Sequence, residues 1–141
     1  MTARRTPDTS VVVAGLSSWH THHDIALPIL AASPPAIQHV VAESYSVLTR
    51  LSKGRGVEPK LALVAVMSAF NADRLALTSA QMEAMMVRLA AANIGGGATY
   101  DAIVAESARL ANVELVTLDK RATRTYDAVG VHFTLLEEGG I

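Results

Sequence analysis

Apolar residues fall in short runs separated by polar or glycine-rich breaks, and the spacing within each run predicts its element. Residues 11–16 and 25–32 are apolar and flank the polar segment 17–24, where Ser17, Ser18 and Trp19 resemble a helix-capping start. On periodicity alone Val11-Val12-Val13 reads as a strand. Residues 36–51 place Val40, Val41, Tyr45, Val47, Leu48 and Leu51 at mostly helical spacing and end in the basic turn 52–56. A second helix is expected over residues 60–70, with Pro59 in its first turn and apolar residues almost all round, which implies burial or a dimer contact. Residues 75–78 form a short strand candidate, and Thr78-Ser79-Ala80-Gln81 fits a helix cap for the Met-rich stretch ending at Ala92. Gly95, Gly96 and Gly97 break the chain. Beyond them the pattern predicts a helix over 99–112, a strand over 113–118, a short helix over 119–127 and a last strand over 131–135, with a fraying tail at 137–141.

Strands alternating with helices argue for a parallel sheet sandwiched by helices, an α/β fold. At 141 residues one domain is the expectation, and no repeat of 20 to 50 residues divides the chain. Half the residues are hydrophobic and 18% are charged, a composition that excludes intrinsic disorder. A net charge of -1 creates no strong field for polyanions, so such a partner needs a local patch or a bound cation. The chain has no cysteine, which excludes disulfides, thiolate catalysis and Cys-ligated zinc and fits a reducing cytoplasm. Neither a signal peptide nor a membrane span is expected.

Ligands gather at the carboxyl ends of strands in open α/β sheets, so acids that end apolar runs come first. Asp119 follows the run 114–118 directly, two residues after Thr117. Asp101 falls in the first turn of the helix after Gly97, where the macrodipole favours an anion. Glu43 sits in the apolar neighbourhood of Val40, Val41 and Tyr45, and Asp8 precedes the Val11 run. Taken singly, Asp101 reads first as a helix-start acid and Asp119 as an N-cap, while Glu43 reads equally as a solvated helix-face acid. If the four converge, each pair at about 4 Å repels by about 4 kcal/mol at an effective dielectric near 20, so the cluster needs protons or a divalent cation. Oxygen-only ligands suit magnesium or manganese, ions that keep waters and bind substrate phosphate.

Four blocks carry these acids in order: residues 8–14 (DTSVVVA), 42–51 (AESYSVLTRL), 100–105 (YDAIVA) and 115–119 (LVTLD). Together they resemble the PIN-domain family, most closely its VapC-type toxins. The resemblance spans nearly the whole chain, and residues 19–24 (WHTHHD) look like the polar start of the second helix in such toxins. It implies a three-layer sandwich with a central parallel sheet, and a metal-dependent endoribonuclease, usually homodimeric, neutralised by a VapB-type antitoxin. By the same resemblance Asp8, Asp101 and Asp119 would surround one or two magnesium (or manganese) ions, Glu43 would complete the acidic pocket, and Ser10 and Thr117 would orient the carboxylates or bound waters. The ion would lower the pKa of a water for in-line attack on phosphorus and neutralise developing charge. Residues 11–16 would be helical turns rather than a strand. One departure stands out: residues 3–7 are polar, and Pro7 has no backbone donor, so the strand before Asp8 is expected to be weak or at an edge.

Other features carry rival readings. A PIN-like binding protein without catalysis is the alternative function. His20, His23 and Asp24 have i, i+3, i+4 spacing that could ligate zinc on a helix; with His22 they read otherwise as a solvated helix start or, facing the pocket, as contacts to RNA phosphates. Gly95-Gly96-Gly97 lacks the Lys-Ser/Thr pair of a nucleotide loop and reads as a hinge. Lys53 and Arg55 form one basic group; Lys120, Arg121 and Arg124 form another beside Asp119, suited to an RNA backbone. Met67, Met82, Met85 and Met86, with Leu77 and Leu89, are expected in the core or a partner surface, and Tyr126 and Phe133 in the core. One Trp, three Tyr and two Phe are few for a base-stacking platform of the single-strand-binding type.

Overall fold

The computed structural model describes residues 4–51 and 54–137. Its elements run β1 (Arg5–Pro7), α1 (Thr9–Leu16), α2 (His23–Ala31), β2 (Ala36–Ile37), α3 (Gln38–Arg50), α4 (Pro59–Ser68), β3 (Arg74–Leu75), α5 (Ser79–Ala91), α6 (Ala98–Leu110), β4 (Glu114–Thr117), α7 (Thr123–Val129) and β5 (Phe133–Leu135). All strand pairs are parallel. β4 lies between β1 and β5, with Thr6 opposite Leu115 and Val116 opposite Thr134, while β2 pairs with β3. Successive side chains of a strand point to opposite faces. Leu115 accordingly joins one core, with Val12, Val13, Val40, Leu48, Val104 and Tyr126, whereas Val116 joins another with Val11, Ala14 and Ala26. Helices therefore cover both faces of the central strand, which is why Leu115 and Val116, pointing to opposite faces, are both apolar and buried.

The polar segment before Asp8 forms β1, a three-residue strand at the edge of its ladder. Its far side meets β2, but Pro7, Pro34 and Pro35 have no N–H to give, and no ladder joins the two strands there. The buried Thr6 hydroxyl takes over, donating to Pro35 O at 2.9 Å. On the other side β1 continues into Asp8, whose N–H donates to Val116 O at 2.9 Å. The position of Asp8 is thus tied to the central strand even though the segment is polar.

Several sequence expectations change. Residues 11–16 are helical, as the family likeness implied and against their β-propensity, because Asp8 caps α1 and both helix faces are buried. Ser17 closes α1 instead of opening the next helix, and α2 starts only at His23 without a side-chain cap. His20, His23 and Asp24 therefore do not share a helix face: His20 belongs to the turn before α2. Ala36 and Ile37, expected as helix, form β2; the strand expected over 75–78 is the two-residue β3. Asp119 precedes α7 by a turn rather than opening it. Thr78 and Gln81 make the expected reciprocal capping box. Ser52, Lys53 and the tail beyond Glu137 lie outside the described residues.

Three packing devices position the helices that bear the site. Gly15 lets α2 approach α1, since a Cβ there would meet Leu30 Cδ1 at 2.5 Å. His39 of α3 stacks on Tyr100 of α6, ring centroids 5.6 Å apart. Glu106, buried on α6, accepts from Arg109 Nε at 2.6 Å and from Arg88 of α5. Burial alone would raise its pKa, but these two guanidiniums hold it below the usual value. Among the described residues no helix is long and apolar enough to cross a membrane.

Candidate active site

Two strands of the parallel sheet deliver an aspartate just beyond their carboxyl ends. β1 ends at Pro7 and is followed by Asp8; β4 ends at Thr117, and Asp119 follows after Leu118. Helices bring the other two acids: Glu43 from α3 and Asp101 from the first turn of α6, where the helix dipole favours negative charge. All four carboxylates line one cavity of about 590 Å³. Ser10, His20, His22, Arg50, Arg121 and Tyr126 share its wall.

Asp8 is the most fixed of the four. As N-cap of α1 it accepts from Val11 N at 3.4 Å through Oδ1, and the Ser10 hydroxyl donates to the same oxygen. Oδ2 accepts from the Tyr126 hydroxyl at 2.7 Å. Burial pushes the Asp8 pKa up against the opposing pull of these hydrogen bonds and of Thr117. Tyr126 is raised as well, by burial first and then by the Asp8 charge, so its phenol stays a donor. Ser10 Oγ also accepts from Leu118 N at 2.9 Å, and Thr117 Oγ1 from Asp119 N at 2.9 Å. These two hydroxyls stitch the start of α1 to the end of β4 and orient the aspartate attached to each.

Asp119 Oδ1 accepts from Arg121 N at 3.0 Å and Ala122 N at 3.4 Å, capping the turn into α7 while it lines the cavity. The capping role and the site position are therefore compatible. Glu43 accepts from the Thr9 hydroxyl. Asp101 is pushed up to about 6, by burial and then by the charges of Asp119, Glu43 and Asp8 in that order. The four acids, far apart in sequence, thus act on one another electrostatically.

The donor set is oxygen-rich and contains no thiolate, which suits a hard divalent ion. Among the described residues no three His, Asp or Glu side chains are gathered into a ready-made metal cage. Acids that share a cavity without closing into a cage are compatible with magnesium, which holds few protein ligands and completes its shell with water and substrate oxygens. The negative charge that lifts Asp101 is what such an ion would neutralise. The zinc arrangement is not assembled: His20 Nδ1 accepts from His22 N at 3.0 Å, and His23 Nδ1 lies 2.9 Å from Ala14 O.

Of the basic residues expected near Asp119, only Arg121 lines the cavity; Lys120 and Arg124 are exposed and lie outside its wall. Arg50, at the end of α3, contributes the second cationic group and was not singled out from sequence. Thr9 was missed too, although a hydroxyl next to a helix-capping acid is a readable signal. Tyr126 was expected only as core, and no sequence signal joins its hydroxyl to a carboxylate 118 positions away.

The chain matches the PIN domain family over residues 6–128. It is 37% identical to Ribonuclease VapC40 of Mycobacterium tuberculosis over 130 residues, covering 92% of this chain and 97% of that one. It is 40% identical to Ribonuclease VapC27 of the same organism over 126 residues, 89% and 91% of the two chains. The crystal structure of VapBC2 from Rickettsia felis, bound to a DNA fragment from their promoter, superposes with a TM-score of 0.64 at 15% identity, covering 94% of this chain and 98% of that one; at this identity the likeness speaks for the fold. With a family match over most of its length and two relatives near 40% identity, the chain belongs to the PIN-domain family, in its VapC branch.

Proposed function

We propose that this chain is a VapC-type toxin, an endoribonuclease that hydrolyses RNA phosphodiesters with magnesium or manganese and is neutralised by a VapB-type antitoxin. The observation that carries the proposal is the meeting of Asp8, Glu43, Asp101 and Asp119 in one cavity. The ribonuclease names of its relatives agree with it. The VapBC2 complex supports an antitoxin of the VapB kind as partner. Residues 1–141 would act as one PIN unit in the cytoplasm.

Asp8, Asp101 and Asp119 would hold the ion, with Glu43 completing the acidic lining of the same cavity. Bound there, the ion would supply positive charge against the phosphate and a lowered pKa for the attacking water. The chain's own groups do the rest. Ser10, Thr117 and Tyr126 fix the carboxylate orientations before substrate arrives, so that little reorganisation is left for the reaction. Arg50 and Arg121 draw the backbone into a cavity whose floor would otherwise repel it. Pairing of the polar β1 with β4 in register supports catalysis over simple binding, because it is what delivers Asp8 to the cavity.

The test is incubation of the purified protein with total RNA in magnesium and, separately, in EDTA. Cleavage in magnesium alone is expected, and mapping the new ends identifies the site cut. RNA left intact under both conditions refutes the proposal.

A homodimer is proposed as the working form. α4 buries Ala62 and Val66 but exposes Leu61 (62%), Leu63 (53%) and Val64 (66%), and α5 exposes Met86 and Val87. Light scattering at micromolar concentration should give twice the chain mass; a monomeric mass would count against this interface.

A further inference from the structure

Tyr126 is a rigid donor aimed at one oxygen of one acid. It is buried, and its ring meets Phe133 edge-on with centroids 5.8 Å apart. Its backbone is pinned as well, because Gly130 N and Val131 N both donate to Tyr126 O where α7 ends in the left-handed Gly130. The hydroxyl, the only polar group of the side chain, donates to Asp8 Oδ2 at 2.7 Å. The other oxygen, Oδ1, is taken by the Ser10 hydroxyl and by Val11 N. Asp8 is therefore gripped at both oxygens, from α1 on one side and α7 on the other. Each carboxylate oxygen has about two acceptor sites. Oδ1 has both filled and Oδ2 has at most one left, so Asp8 has a single oxygen to offer a metal ion and no chelating pair.

We propose that Tyr126 makes the acidic cavity discriminate between small and large divalent ions: by locking Asp8 into single-oxygen ligation it favours magnesium over calcium. The inference rests on the metal-dependent reading of the cavity and adds which residue sets the choice of ion. Magnesium takes an octahedral shell at about 2.0–2.1 Å with one or two carboxylates and several waters, whereas calcium takes about six to eight oxygens at about 2.3–2.6 Å and accepts a carboxylate through one oxygen or both. Selectivity between the two follows ligand number and flexibility. A carboxylate that can neither rotate nor chelate withholds an oxygen that the larger ion would use. Without the Tyr126 hydroxyl, Asp8 keeps only the anchors at Oδ1. Ser10 Oγ lies 3.5 Å from Thr117 Oγ1, so the serine has another partner once the carboxylate turns. Both Asp8 oxygens then become available to a larger ion.

Tyr126→Phe removes the hydroxyl and keeps the ring, and metal binding itself is the readout. Manganese held by the purified protein is followed by electron paramagnetic resonance and displaced with magnesium or with calcium, which gives an affinity for each ion. Wild type should hold magnesium more tightly than calcium. In Tyr126→Phe the magnesium affinity should fall about tenfold, the cost of losing a partner that orients a metal ligand, while that for calcium holds or rises. The preference for magnesium then shrinks by about tenfold or more. Phe133→Leu disturbs the packing of the same ring but leaves the hydroxyl, and it should keep the wild-type preference. Thermal melting of each variant controls for folding. Equal weakening of both ions in Tyr126→Phe, or an equal loss of preference in Phe133→Leu, would overturn the proposal while leaving the metal site intact. So would a wild type that holds calcium as tightly as magnesium. A wild type that binds none of the three ions refutes the metal-dependent reading and this proposal with it.

Discussion

Asp101→Asn and Asp119→Asn should each lower kcat/KM for RNA cleavage by more than about 100-fold. Loss of a group that merely orients a metal ligand costs about 10- to 100-fold in affinity or activity, and loss of a ligand itself should exceed that. The exchange of one carboxylate oxygen for an amide is nearly isosteric, so it removes charge while keeping shape. Asp101 faces the other three acids electrostatically, and Asp119 stands at the end of the central strand. The two residues come from elements far apart in sequence, so parallel loss in both variants ties activity to this cavity. Calorimetric titration with manganese should show weakened binding in each. Undiminished cleavage by both purified variants would assign the activity to another site or to a contaminant.

The second large effect is on stability, and it has the opposite sign. Asp101 has a pKa of about 6 in the folded protein against an ordinary 3.8. The folded form then binds its proton more tightly than the unfolded form. Its contribution to stability is fully present below about pH 4 and is lost as pH rises through about 6. A shift of this size in a fully buried group is worth about 3 kcal/mol; partial exposure and screening reduce it to about 1–2 kcal/mol. Asp101→Asn cannot ionise, so in EDTA at pH 7 it should melt several degrees above wild type, and the gap should close near pH 4. Comparison of the two proteins isolates this residue from Asp8 and Glu106, which also titrate abnormally. Magnesium should raise the wild-type melting temperature at pH 7, by an amount worth about 2.7 kcal/mol at a hundredfold excess over Kd. The variant should gain less. An Asp101→Asn protein less stable than wild type at pH 7 without metal would contradict this account of the carboxylate cluster.

Where side-chain pattern and backbone needs agree, the elements were legible. The Thr78–Gln81 box announces α5, and the run at 114–117 reads as a strand because both of its faces are buried. Where they conflict, context prevails. Val11, Val12 and Val13 favour a strand by propensity, but the Asp8 cap and burial on both sides make them helical. β2 has two residues between a Pro-Pro pair and a helix, too few for any period to show. The histidine spacing implied a helix face because the start of α2 carries no capping residue to mark it.

The candidate site divides similarly. The four acids could be nominated because each occupies a recognisable local position, and their order along the chain added the family likeness. Their partners could not. Thr9 beside Glu43 and Tyr126 beside Asp8 are contacts across 34 and 118 positions. Arg50 replaces Lys120 and Arg124 at the cavity because a helix end, rather than nearness in sequence to Asp119, points it there.

The sequence by itself determined the alternation of strands and helices and the chemical kinds available to the site: carboxylates and hydroxyls, without a thiol. Only the tertiary structure decided that residues 8, 43, 101 and 119 share one cavity and that Asp101 holds its proton to about pH 6. The reason is that Coulomb repulsion and desolvation depend on separation and burial in space, and for residues this far apart along the chain both are set by how the helices pack around β4.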